Sequence, residues 1–225
     1  MKRKSIAVVI ASMLAFTMIA GATLAYLQAE SKEVTNTFTV GDIKIELKEH
    51  DAKADGSLYA DAEHEVESRT GIKLTPGTTV AKDPFVRVKA KSEDCYVYVY
   101  VDNYLFTSAT ADAVIVTPII NTTYWEQIGD PKTVAASGNN PKYTRTLYRY
   151  KGGNSSGIVS YSETDQKLEN VFSNVTISAD LTNTTEINTY LNGKTIVLKA
   201  FAYQADGRTE AEATAAAKAW AGFNN

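Results

Sequence analysis

The side chains that most often ligate metals or act as nucleophiles are few in this chain: two histidines, His50 and His64, and a single cysteine, Cys95. His64 lies in Ala62-Glu63-His64-Glu65-Val66-Glu67. A zinc-protease helix needs two histidines four residues apart, so that both rings reach one ion beside a glutamate. Position 68 is Ser68, and the segment reads as a solvated acidic loop. The acids between residues 51 and 67 also lack the spacing of a helix–loop–helix calcium site. A reactive cysteine wants a basic, partly exposed setting and a histidine partner. Cys95 instead stands on the apolar side of a valine strand and reads as a buried small hydrophobe. No serine occupies a Gly-x-Ser-x-Gly elbow. Gly152, Gly153 and Gly157 belong to a flexible loop with no Lys-Ser/Thr after it. Carboxylates are numerous, but nothing singles out a glycosidase pair. The expectation is no catalytic residue, no cofactor, no metal and no enzyme.

What remains is surface, and the elements that would present it are strands. Residues 85–91 alternate, with Val86, Val88 and Ala90 on one side and Arg87, Lys89 and Lys91 on the other. Residues 95–101 repeat the pattern, with Cys95, Val97, Val99 and Val101 opposite Tyr96, Tyr98 and Tyr100. Period two is the signature of a strand with two unlike faces. The tyrosine face is expected to be covered by a loop or neighbouring subunit, or to serve as an exposed ligand surface. Ile43, Ile45 and Leu47 alternate with Asp42, Lys44 and Glu46 in the same way. Residues 49–70 read as a polar loop with a short helix near 61–67. Residues 113–120 are open between strand and helix. Residues 123–128, 143–150, 171–181 and 196–203 are expected strands. Thr75-Pro76-Gly77 is a turn, and Asn192-Gly193 predicts a hairpin. Thr209-Glu210-Ala211-Glu212 is a capping box that starts a helix over 209–221, which Gly222 stops. Trp220 and Phe223 would dock it on the sheets. The fold expected is mostly β: an antiparallel β-sandwich of jelly-roll type with a short C-terminal helix and long loops.

The N-terminus sets the compartment. Lys2, Arg3 and Lys4 precede an apolar run from Ile6 to Ala20 and then small residues, the layout of a secretory signal peptide. Cleavage after Ala22 or after Ala25 fits the small-x-small rule; a retained membrane anchor is the alternative. Loss of Lys2, Arg3 and Lys4 leaves 20 basic against 26 acidic residues, a net charge of −6. That balance argues against nucleic acid and against anionic lipid. One cysteine excludes an internal disulfide framework. Residues 26–48 read as a β-prone arm ahead of a domain at 49–225. Within the arm, Thr35, Asn36, Thr37, Phe38, Thr39 and Val40 form an extended segment able to pair inside its own domain or to add a strand to another subunit's edge.

Several of these segments, in their order, resemble the TasA/camelysin family. They are Ala22-Thr23-Leu24-Ala25-Tyr26-Leu27; Asn36-Thr37-Phe38-Thr39-Val40-Gly41-Asp42-Ile43-Lys44-Ile45; Leu74-Thr75-Pro76-Gly77; Lys82-Asp83-Pro84; Tyr96-Val97-Tyr98-Val99; and Ala202-Tyr203-Gln204-Ala205 with Ala219-Trp220. Residues 87–91 depart from the family's pattern. The resemblance implies a jelly-roll fold and export through a SipW-like signal peptidase cutting between Ala25 and Tyr26. It also implies a homo-polymer, a biofilm-matrix fibre of a Gram-positive-type bacterium built by N-terminal strand exchange (donor-strand complementation), with no membrane span after cleavage. Some relatives are described as metalloproteases; this chain supplies no zinc motif, and that activity is not carried over. The competing expectations are a monomeric surface module that binds carbohydrate or protein through Tyr96, Tyr98 and Tyr100, and, less favoured, a secreted hydrolase.

Overall fold

The structure, a computed structural model, describes residues 42–69, 75–107, 112–114, 116–137, 142–152, 156–179 and 196–223. The expected cleavage site at Ala25 and Tyr26, the segment Thr35 to Val40 and the Asn192-Gly193 turn lie outside the described residues. In chain order the strands are β1 (Ile45–His50), β2 (Glu65–Val66), β3 (Thr79–Ala81), β4 (Phe85–Val88), β5 (Cys95–Thr107), β6 (Asp112–Val114), β7 (Val116–Ile120), β8 (Trp125–Gln127), β9 (Lys132–Val134), β10 (Tyr143–Tyr150), β11 (Ile158–Val159), β12 (Gln166–Lys167), β13 (Phe172–Ile177) and β14 (Leu198–Gln204). A 3-10 turn covers Ala62–His64, and one α-helix, α1, covers Glu210–Trp220.

The protein is mostly β, and its sheets are antiparallel. The alternating run at Cys95 becomes the spine of the largest sheet. β10 pairs along one edge of β5 (Leu147 opposite Tyr100), and β14 along the other (Ala200 opposite Val99). β8 and β9 pair with the far edge of β10. Two smaller sheets have the orders β12-β4-β1-β2 and β3-β13-β7. The Lys82 amide donates to the Ser173 carbonyl at 3.1 Å, and the Val171 amide to Pro84 at 2.8 Å, which joins these two sheets. Valines on one face of β4 and β5 meet Val175 and Ile177 of β13 in a single core that also takes in Trp125 and Tyr148. Each such side chain, fully removed from water, contributes about 1.5–3 kcal/mol. The result is a sandwich-like arrangement, with α1 packed on the outer face of the β5 sheet.

Local signals explain the boundaries. Thr78 donates its amide to Thr75 at 3.2 Å, with Gly77 at φ +72° closing the turn. Thr209 accepts from the Glu212 amide, and Glu212 reaches back to the Thr209 amide, so the expected capping box forms. Residues 113–120, open between strand and helix, are strand where described. The polar loop expected from residue 49 begins later, because Glu49 and His50 belong to β1 and are buried. The two-residue strands β2, β11 and β12 exist through long-range pairing and carry no periodicity of their own.

Candidate functional site

Cys95 is wholly buried. Burial, with Asp94 adding to it, pushes its thiol up to about 12, so no thiolate is present near neutral pH. His64 contacts Asp61 through Nδ1 at 2.5 Å and stacks on Tyr59 with 3.6 Å between centroids. Among the described residues no three histidine, cysteine, aspartate or glutamate side chains gather as a metal site.

The tyrosine face is not a free surface. Tyr96, Tyr98 and Tyr100 are buried beneath α1 with Leu147, Ala213, Ala217 and Ala221. Alanines let the helix approach closely, and half-buried Trp220 stacks on Phe201 at 5.2 Å and lies 5.1 Å from Tyr100. Tyr98 Oη meets Thr214 Oγ1 at 3.0 Å, and burial pushes the Tyr98 and Tyr100 hydroxyls up. Two arginines of β10 fasten the helix ends. Arg145 grips Asp102 with two bonds of 2.8 and 2.9 Å, lies 3.9 Å over the Tyr100 ring and donates to the Ala221 carbonyl. Arg149 pairs with Glu126 at 2.8 Å and with Glu210 in the first turn of α1. A ligand surface on these tyrosines, one of the expectations above, is therefore corrected: they are the bed of the helix.

Sequence reasoning missed a group of buried charges at the end of β1. The register that sets Lys48 opposite Phe85 carries His50 to Asp83. His50 Nδ1 lies 2.6 Å from Asp83 Oδ2, and the His50 amide donates to Asp83 Oδ1 at 3.1 Å. Lys82 Nζ donates to Glu49 Oε2 at 2.5 Å, and the Arg69 amide to Glu49 Oε1 at 3.0 Å. Arg87 binds Glu65 at 2.7 Å. The one available signal was the matched order of two dipeptides, Glu49-His50 against Lys82-Asp83, whose pairing becomes visible only when β1 lies against β4.

Two strand edges, on β14 and along Ile45–Lys48 of β1, have no partner among the described residues. Val197 accepts from the Asp102 amide and Asp94 from the Ala205 amide, so the odd-numbered residues of β14 turn their backbone groups toward β5. Leu198, Ala200 and Ala202 therefore turn theirs outward. On β1, Lys44 accepts from Lys89 at 2.9 Å, so the even residues face β4 and Ile43, Ile45 and Leu47 turn outward. β2 takes that outer edge only at Glu49 and His50. Among the described residues no strand pairs with the outer edge of β14 or of Ile45–Lys48. The two strands neighbour each other across the sandwich. Their core-facing side chains, Ile43, Ile45, Leu47, Leu198, Ala200 and Ala202, are half-buried, whereas Val86, Val97 and Val99 behind them are wholly buried.

No protein-family model, curated protein or solved structure matches the chain. No helix among the described residues is long and apolar enough to cross a membrane.

Proposed function

We propose that this chain is a secreted structural subunit of extracellular, biofilm-matrix fibres, assembling when the N-terminal strand of one copy completes the sheet of the next. The carrying observation is the seam between β1 and β14: two neighbouring strand edges with outward backbone donors and acceptors above incompletely covered apolar side chains. An added strand would satisfy those groups and cover that core at once. The other described edges are poor templates. β3, β8 and β9 have three residues each and β12 has two, while β7 carries Pro118, whose ring lacks a donor. Residues 35–40, threonine-rich and β-prone, have the length and alternation to fill the seam.

In this reading the signal peptidase acts before assembly, by cutting between Ala25 and Tyr26 and freeing the arm. No reaction is catalysed. The test is the mature chain starting at Tyr26, imaged by electron microscopy beside a variant lacking residues 26–40. Filaments from the first and monomers from the second are expected. Filaments undiminished by the deletion would sink the donor-strand reading.

A further inference from the structure

We propose that His50 is a proton-operated latch holding Lys167, and with it the β12 strap, against β4. The inference concerns the fold of the single subunit and holds whether or not the chain polymerises.

Lys167 Nζ lies 3.2 Å from His50 Nε2 and 4.1 Å over the Phe85 ring. A protonated ammonium has three donors and no acceptor. Nε2 must then be the bare, accepting nitrogen, and the ring's single proton sits on Nδ1, facing Asp83 at 2.6 Å. The other Asp83 oxygen is engaged by the His50 amide, which fixes the carboxylate. The contacts thus select one tautomer of a neutral ring.

The surrounding charges agree with that assignment. Facing His50 are Asp83 from the segment before β4, Lys167 from β12, and the Glu65–Arg87 pair from β2 and β4. Next to it in the chain is Glu49 of β1, paired with Lys82 from the segment before β4. With Arg69, whose amide meets Glu49 and whose guanidinium donates to the Ala81 carbonyl, the cations here are already no fewer than the carboxylates, and a neutral imidazole adds no further positive charge. His50 itself is 4% exposed. A second proton, added at Nε2, turns the acceptor into a donor aimed at an ammonium. Asp83 holds the ring in place, and Lys167 is the partner with a path to water, since it stands exposed on a two-residue strand. The proton therefore displaces Lys167 from both Nε2 and the Phe85 face. β12 keeps its ladder to Val88 and Arg87 but loses the side-chain anchor at its end.

The test is NMR on the full mature chain, labelled on histidine and lysine. His64, which contacts Asp61 through the same ring nitrogen, is the internal reference. At pH 8 His50 should show the Nδ1–H tautomer. On acidification the Lys167 side-chain signals should move together with the His50 ring, and the Gln166 and Lys167 amides should exchange faster. In Lys167→Met, His50 should take up its second proton at higher pH than in the parent, with His64 unchanged. An Nε2–H tautomer at pH 8, Lys167 signals that stay fixed while His50 titrates, or an identical His50 titration in Lys167→Met would each overturn the latch.

Discussion

At the scale of single residues, the buried ion pairs of β1 matter more for register than for net stability. Glu49 and Lys82 are both nearly removed from water. Such a pair roughly offsets its own desolvation, but removing one partner strands a charge, at about 3–5 kcal/mol. Lys82→Met is therefore expected to lower unfolding stability by about 3 kcal/mol or more in urea titrations. Combining it with Glu49→Gln should recover most of the loss, because the glutamine oxygen still accepts from the Arg69 amide while the stranded charge is gone. A slip of β1 by one residue would bury these charges without partners, so they specify how an edge strand with modest apolar cover must sit. Cys95 gives the second expectation at this scale. The folded state holds its proton more tightly than the unfolded chain, since burial raises the thiol from 9.0 to about 12. Its contribution is intact below about pH 9 and is lost as the pH rises toward 12, by at most about 1.4 kcal/mol per pH unit. Thiol reagents at pH 8 should leave the native protein unlabelled and label it in denaturant; native labelling at the unfolded rate would contradict this.

At the scale of elements, α1 shows what local sequence can specify. Its apolar face is alanine, which buries little area per residue, so its placement depends on the Thr209–Glu212 capping box, on Trp220 and on Arg145 and Arg149. Thr209→Ala should cost about 1 kcal/mol, read as a lowered thermal midpoint with an unchanged sheet signal. The capping box was legible because it is written within four consecutive residues. The valine and tyrosine alternation of β5 was legible because each face meets one environment. The identity of the cover over the tyrosines was not, because it depends on a helix more than one hundred residues away. The same holds for Glu49 and His50. Beside an acidic stretch they read as loop, and only Lys82 and Asp83, 33 positions on, make their burial tolerable. The half-buried seam was not legible, because which edge lacks a partner depends on the pairing of every other strand.

At the scale of the whole molecule, most strand edges among the described residues are short, and the long ones left without a partner there are those of β14 and of Ile45–Lys48 in β1. A fold that merely needed stability would gain by closing that seam, since Ile45, Leu47, Leu198 and Ala200 could all be buried further. The backbone geometry allows the strand-addition reading to be tested without touching the arm. Ala200 points its side chain into the core and its N–H outward, away from β5. Proline at this position removes a donor that β5 does not use, and its fixed φ is compatible with an edge strand. Ala200→Pro should therefore fold with the parent's circular dichroism and lose less than about 1.5 kcal/mol, on the scale of one hydrogen bond. By contrast, Lys199→Pro removes a bond to β5 and should destabilise the monomer itself. If an arriving strand pairs with β14, Ala200→Pro should form no filaments at concentrations where the parent does, and mixing it into the parent should shorten the parent's filaments, because each incorporated variant presents an edge that cannot accept the next strand. Filaments of ordinary length from a well-folded Ala200→Pro protein would place assembly elsewhere on the surface and leave the seam as a fold feature alone.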